Sequence, residues 1–148
     1  MKRTRSFSTG FSLVELLVVV AIIGILSAIA VPNYTSYVQR GKIQEATSFL
    51  ADSRTKLEQF FMDNRTYAGG AGAWACGGAA PAGSRYFDFT CRGTATTYVV
   101  SAVGKAGEGM TGFTYTVNEA NTRTSTFTGL SGWSNSANCW VIKKGESC

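Results

Sequence analysis

Residues 10–32 read GFSLVELLVVVAIIGILSAIAVP, and how this stretch is understood decides the fold. From Phe11 to Val31 the only ionisable side chain is Glu15. As a helix these residues span about 31 Å, enough to cross a bilayer core of about 30 Å. A charge inside such a segment costs about 2.5 to 3.5 kcal/mol on insertion scales. Glu15 therefore needs either a partner or a place near the headgroups to which it can snorkel, and composition leaves both open. Ala21, Gly24 and Ala28 set small residues three and four apart, a spacing that lets helices approach closely.

The flank sharpens the reading. Residues 1–10, MKRTRSFSTG, carry Lys2, Arg3 and Arg5. A secretory signal places its cleavage site after the apolar region. Here the candidate processing point, Gly10, comes before it, so the apolar run stays on the mature chain. The three cations hold the leader on the cytoplasmic side.

Gly10-Phe11-Ser12-Leu13-Val14-Glu15-Leu16, the apolar run and Pro32-Asn33-Tyr34 together strongly resemble the N-terminus of type IV pilins and pseudopilins. The likeness covers residues 1 to about 40. It implies a prepilin peptidase that cuts between Gly10 and Phe11, with Phe11 becoming the N-methylated first residue. It also implies that Glu15 pairs with the α-amino group of Phe11 on a neighbouring subunit during assembly. Two buried opposite charges compensate one another where either alone is penalised. Gly24 and Pro32 weaken a helix by about 1 and 3 kcal/mol. By the same resemblance, the stretch between them is an extensible joint; the plainer alternative for Pro32 is a kink at the membrane boundary.

Beyond Pro32 the spacing predicts an amphipathic helix to about Arg65. Ile43, Ala46, Phe49, Leu50, Leu57, Phe60 and Phe61 recur on one face, with Gln39, Lys42, Glu45, Asp52 and Lys56 for the wet side. A helix from Phe11 to Arg65 would be about 80 Å long. Residues 68–84, rich in Gly and Ala, read as a loop. Period-two stretches at 86–91, 98–103, 112–117 and 125–128 predict an antiparallel sheet, with a turn at 119–122 and a further edge strand at 139–142. The expected class is α+β, a pilin fold: a long N-terminal helix with a hydrophobic first half, packed on a C-terminal antiparallel sheet. The expected divisions are a leader at 1–10, a hydrophobic transmembrane and assembly helix at 11–33, and a globular head at 34–148.

The four cysteines, Cys76, Cys91, Cys139 and Cys148, are separated by 14, 47 and 8 residues, without a C-x-x-C pair that would suggest zinc. An even count in an exported chain favours two disulfides, and three pairings exist. Cys76–Cys91 and Cys139–Cys148 are favoured because each closes a short local loop; free buried thiols are the alternative. The chain has no histidine, no G-x-x-x-x-G-K-[ST] loop and no strand leading into a G-x-G-x-x-G helix. No enzyme, cofactor or metal is expected.

The net charge is +5, from 14 basic and 9 acidic side chains. Without the leader, 11 basic and 9 acidic side chains remain. The segments Gln59–Tyr67, Tyr115-Thr116-Val117, Gly132-Trp133 and Cys139-Trp140-Val141 resemble minor and competence-type pilins, some of which bind DNA. Candidate DNA contacts are Arg85, Arg92, Lys105, Arg123, Lys143 and Lys144, set against the alternative of scattered solvated charges. Trp133 and Trp140 are expected in or near the sheet.

The leading expectation is a type IV pilus subunit supporting adhesion, twitching motility or DNA uptake. Its partners would be other pilin subunits, the prepilin peptidase, the inner membrane before assembly and the inner-membrane assembly machinery. A minor pilin whose head captures DNA is the second expectation. A secretion pseudopilin is the third. Calcium, which major pseudopilins hold in an acidic C-terminal loop, is disfavoured because residues 124–148 contain one carboxylate side chain, Glu146.

Overall fold

Ser12 ends the non-helical N-terminus by accepting the Glu15 amide on its hydroxyl at 3.2 Å. Ser12-x-x-Glu15 is a capping-box sequence, and the bond satisfies one of the amides that a helix start leaves orphaned. Helix α1 then runs from Leu13 to Asn64. It ends where Arg65 takes a left-handed conformation, φ 56°, with its amide still bonded to the Phe61 carbonyl at 2.8 Å. The computed structural model describes residues 10–81 and 83–148, so the leader, Gly10 apart, lies outside them. The chain divides within α1 into a first unit ending at Tyr37 and a second, Val38–Cys148.

In the first unit the apolar side chains of α1 are exposed, from Leu13 to Val31. By length and composition α1 holds a segment able to cross a membrane. The backbone is helical from Gly24 through Pro32; the Pro32 side chain lies outside the described set.

In the second unit α1 buries Ile43, Ala46, Leu50, Ser53 and Leu57 on one stripe. Phe49 packs its ring 5.4 Å from that of Phe89. Lys42 and Glu45, expected on the wet side, are half-buried instead: the Lys42 ammonium donates to the Glu108 carbonyl at 2.7 Å, and Glu45 accepts from Ser84 and Arg85. Loops reach the flank of the helix, so its buried arc is wider than the apolar stripe.

The sheet has six strands in sequence order: β1 Ala68–Ala71, β2 Trp74–Cys76, β3 Phe87–Gly93, β4 Tyr98–Gly104, β5 Phe113–Asn118 and β6 Arg123–Phe127. All neighbours are antiparallel except β2 and β3, which run parallel with Trp74 opposite Cys91. The residues 68–84 expected as a loop thus contain two strands. The sequence AGGA carries little β propensity, and WAC, three residues long, has one strand-favouring side chain, Trp74. Gly70 and Gly77 permit the pairing: a Cβ at Gly77 would overlap the Phe60 ring, and one at Gly70 would overlap the Trp74 carbonyl.

Phe87, Cys91, Val100, Ala102, Phe113, Tyr115, Val117 and Phe127 line the inner face. Helix α1 covers part of it, and residues 130–142 cover the β5–β6 side, where Trp133 meets the rings of Phe113 and Phe127, each at 4.9 Å. Residues 139–142 do not form the expected edge strand. Side chains hold this segment in place of a ladder: Ser125 Oγ donates to the Cys139 carbonyl and accepts the Val141 amide, at 2.9 and 2.8 Å.

Candidate functional site

Two regions carry the sequence's candidate residues. The first is the start of α1. Gly10 and Phe11 are exposed ahead of the helix, and Glu15 sits in its first turn. A Cβ at Gly10 or at Gly24 would meet nothing within 4 Å, so packing within the protomer does not require glycine at either position. Ser12 was missed by the sequence reasoning, although the S-x-x-E signal ahead of an apolar run was there to find it.

The second region is the head. The structure divides the six candidate cations by their surroundings. Arg85 and Lys105 lie where β3 begins and β4 ends, and both are engaged. Arg85 pairs with Glu108 at 3.3 Å, while Lys105 pairs with Asp88 at 3.3 Å and donates to the Ser84 carbonyl at 2.8 Å. Ion pairs among the described residues do not include Arg92, Arg123, Lys143 or Lys144. Arg92 is exposed on β3, on the outer face in register with Val99.

Arg123 meets Trp140, which belongs to the same closing segment as Lys143 and Lys144. The Arg123 guanidinium stands 4.8 Å from the centroid of the Trp140 ring, a cation–π distance. The Trp140 indole N–H donates to the Thr116 carbonyl at 2.8 Å, fixing the ring beside β5. The Tyr115 hydroxyl donates to the Val141 carbonyl at 2.9 Å, and burial holds that phenol well above the usual tyrosine range. Lys144 lays its stem against Gly132, whose carbonyl accepts the Gly145 amide at 2.9 Å. Cys139 and Cys148 are joined with Cα atoms 5.9 Å apart, closing the segment that carries Trp140, Lys143 and Lys144. Cys76 and Cys91 are joined at 5.6 Å, linking β2 to β3. Trp133 and Trp140 are partly buried against the core. Arg123 thus stands against the Trp140 ring, and Lys143 and Lys144 are exposed three and four residues further along the chain. Arg123 also donates from Nε to Asn121 Oδ1 at 3.3 Å, and a phosphate backbone is bound by exposed cations such as these.

A long helix with an apolar, exposed first half and a sheet-covered second half defines the pilin class. Residues 5–31 match the model of the prokaryotic N-terminal methylation motif. Residues 32–112 match the family described as type IV minor pilin ComP, DNA uptake sequence receptor, and the chain belongs to that family. It is a family of structural pilin subunits, not of enzymes.

Among relatives, the type IV major fimbrial protein FimA of Dichelobacter nodosus is 43% identical over 61 residues, 41% of this chain and 39% of that protein. The fimbrial protein EcpC of Eikenella corrodens is 36% identical over 98 residues, 66% of this chain and 58% of that protein. The chain thus spans about two fifths of the length of the FimA proteins it matches. In fold it is similar to the non-core minor pilin PilV of Neisseria meningitidis. That likeness has a TM-score of 0.52 and 15% identity over 65% of this chain and 94% of that one. Arg123, Trp140, Lys143 and Lys144 lie beyond the matched residues 32–112.

Proposed function

We propose that this chain is a subunit of a type IV pilus whose head captures duplex DNA for uptake. The match of residues 32–112 to the DNA-uptake-receptor family carries this conclusion. The exposed cations Arg123, Lys143 and Lys144 supply the chemistry. Residues 1–10 act as a leader, 11–33 as the assembly helix and 34–148 as the head. A prepilin peptidase cuts between Gly10 and Phe11, and Phe11 is N-methylated. The chain waits as a single-pass protein of the inner membrane, then joins other pilin subunits through the inner-membrane assembly machinery. In the extracellular filament, Glu15 pairs with the Phe11 amine of a neighbour, and Gly24 to Pro32 serves as the joint.

DNA retention by the full-length protein in detergent micelles tests the DNA-capture claim, measured at low and moderate salt. Removing one phosphate-binding cation lowers the logarithmic salt slope by about 1. Arg123→Ala, Lys143→Ala and Lys144→Ala are each expected to do so. Arg85→Ala and Lys105→Ala remove cations already paired and are expected to leave the slope unchanged. Absence of binding at low salt would end the DNA-capture function. The pilus-subunit reading would then stand alone.

A further inference from the structure

We propose that Tyr34 and Tyr37 form an anchor in the outer headgroup layer of a lipid bilayer, and that this anchor sets the depth of Phe11 and Glu15 at the opposite face. The proposal rests on the membrane-spanning state described above.

Exposure first separates these two tyrosines from those of the core. Tyr67, Tyr98 and Tyr115 are buried, and their hydroxyls donate to Glu58, Glu58 and the Val141 carbonyl. Tyr34 and Tyr37 are 69% and 77% exposed. They stand three apart on one helix, so both rings share a face. A phenol has an apolar ring and a polar tip, a combination that suits the boundary between hydrocarbon and headgroups.

Their position along the helix fits that boundary. At 1.5 Å per residue, Tyr34 lies about 4.5 Å beyond Val31 and Tyr37 about 9 Å beyond it. The headgroup layer on one side of a bilayer is about 5 to 7 Å thick. Tyr34 therefore falls within that layer and Tyr37 about 2 Å past its outer edge when the run Phe11–Val31 fills the core.

The same measure reaches the other face. From Tyr34 back to Glu15 is about 28 Å of helix, and Phe11 lies four residues further, ahead of the helix start. With Tyr34 about 4.5 Å outside a core of about 30 Å, Glu15 lies about 6 Å inside the opposite edge, a depth from which its side chain snorkels toward water. Phe11 then lies at the inner headgroup boundary. No acidic or basic side chain lies between Glu15 and Arg40, so charge gives no reference at the outer boundary. The tyrosines supply the missing reference.

Nitroxide labels test this in the full-length protein, reconstituted in vesicles of phosphatidylethanolamine and phosphatidylglycerol. The native cysteines are all in disulfides, so Val14→Cys and Ile22→Cys each take one label. Collision with oxygen against a water-soluble nickel chelate reads depth. Tyr34→Ala with Tyr37→Ala is expected to shift both labels by about 5 Å, one helical turn. Tyr34→Trp with Tyr37→Trp is expected to hold them in place. Unchanged depth in the alanine variant overturns the anchor. If that variant keeps its depth but is lost from filaments, the tyrosines contact a second copy of the chain and the lipid anchor is likewise overturned. A water-accessible Ile22 label in the otherwise unaltered chain overturns the spanning state itself, and the anchor with it.

Discussion

The hydroxyl of Tyr98 on β4 donates to one oxygen of the Glu58 carboxylate on α1 at 3.1 Å, and Tyr67 donates to the other at 2.9 Å. One carboxylate thus ties the helix to β4 and to the segment leading into β1. Burial, and then the hydrogen bond to Glu58, pushes Tyr67 up to about 12 and Tyr98 further still. A folded-state pKa above the unfolded value of about 10 gives stability that is complete below pH 10 and lost as pH rises through the folded value. The head is therefore expected to keep its urea midpoint up to about pH 10 and to lose stability between about 10 and 12. An ultraviolet titration is expected to show Tyr67, Tyr98 and Tyr115 ionising late. A single tyrosine transition near 10 would contradict the arrangement.

Glu58→Ala leaves two half-buried hydroxyls without their acceptor. The expected loss is about 1 to 3 kcal/mol at neutral pH, read from chemical denaturation. A loss within about 0.5 kcal/mol, the range of an ordinary surface substitution, would count against the tie.

Ser84 holds a second tie. Its hydroxyl donates to Glu45 Oε1 and accepts the amides of Tyr86 and Phe87 at 3.2 and 3.1 Å, which uses its full donor and acceptor capacity. The Arg85 amide donates to the same Glu45 oxygen at 3.2 Å. Glu45→Ala is expected to speed amide exchange at Arg85, Tyr86 and Phe87 before any change in β4 or β5. Uniform acceleration across the sheet would mean that Glu45 supports the whole head and not this loop.

The two disulfides are expected to differ in effect. Cys76–Cys91 lies in the core and joins parallel neighbours. Its loss through Cys76→Ala and Cys91→Ala should cost about 3 kcal/mol or more, adding a cavity term to the loop entropy. Cys139–Cys148 closes a shorter loop and ends in an exposed residue. Its loss is expected to cost less in melting temperature but to weaken DNA retention, because Trp140, Lys143 and Lys144 lie between its ends. Melting curves beside the DNA assay separate the two effects, and the reverse ranking would be contrary.

Glu15 and Ser12 can be told apart by filament composition. Glu15→Ala is expected to leave the chain in the membrane but to deplete it from sheared filaments, as measured by quantitative mass spectrometry. Ser12→Ala removes a cap worth about 1 kcal/mol and should leave incorporation intact. Equal depletion by both would tie incorporation to the helix start that Ser12 caps and not to pairing by the Glu15 carboxylate.

Periodicity carries information where burial is one-sided and local. The stripe from Ile43 to Leu57 and the alternation in β3 to β6 were legible for that reason, as was the turn after Asn118, where Asn121 takes φ 56°. The strands at 68–71 and 74–76 were not legible, because alanine and glycine write no alternation. Pairing there depends on Phe60, Cys91 and β3, all distant in sequence or on other elements. The segment at 139–142 alternates like a strand, yet Ser125, Tyr115 and Thr116 take its polar groups one at a time.

The apolar N-terminal helix with its single acid, the amphipathic continuation and the α+β class follow from the order of residues alone. They are properties of contiguous residues, set by composition and period. Three other features arose when distant parts of the chain packed together: β2 runs parallel to β3, Lys42 and Glu45 turn to the loops, and some cations join ion pairs while others do not. Arg85 and Lys105 lose their freedom to Glu108 and Asp88, while Arg123 gains Trp140 from a segment 17 residues away. A charge's availability depends on what lies within a few ångströms of it, and chain distance does not record that.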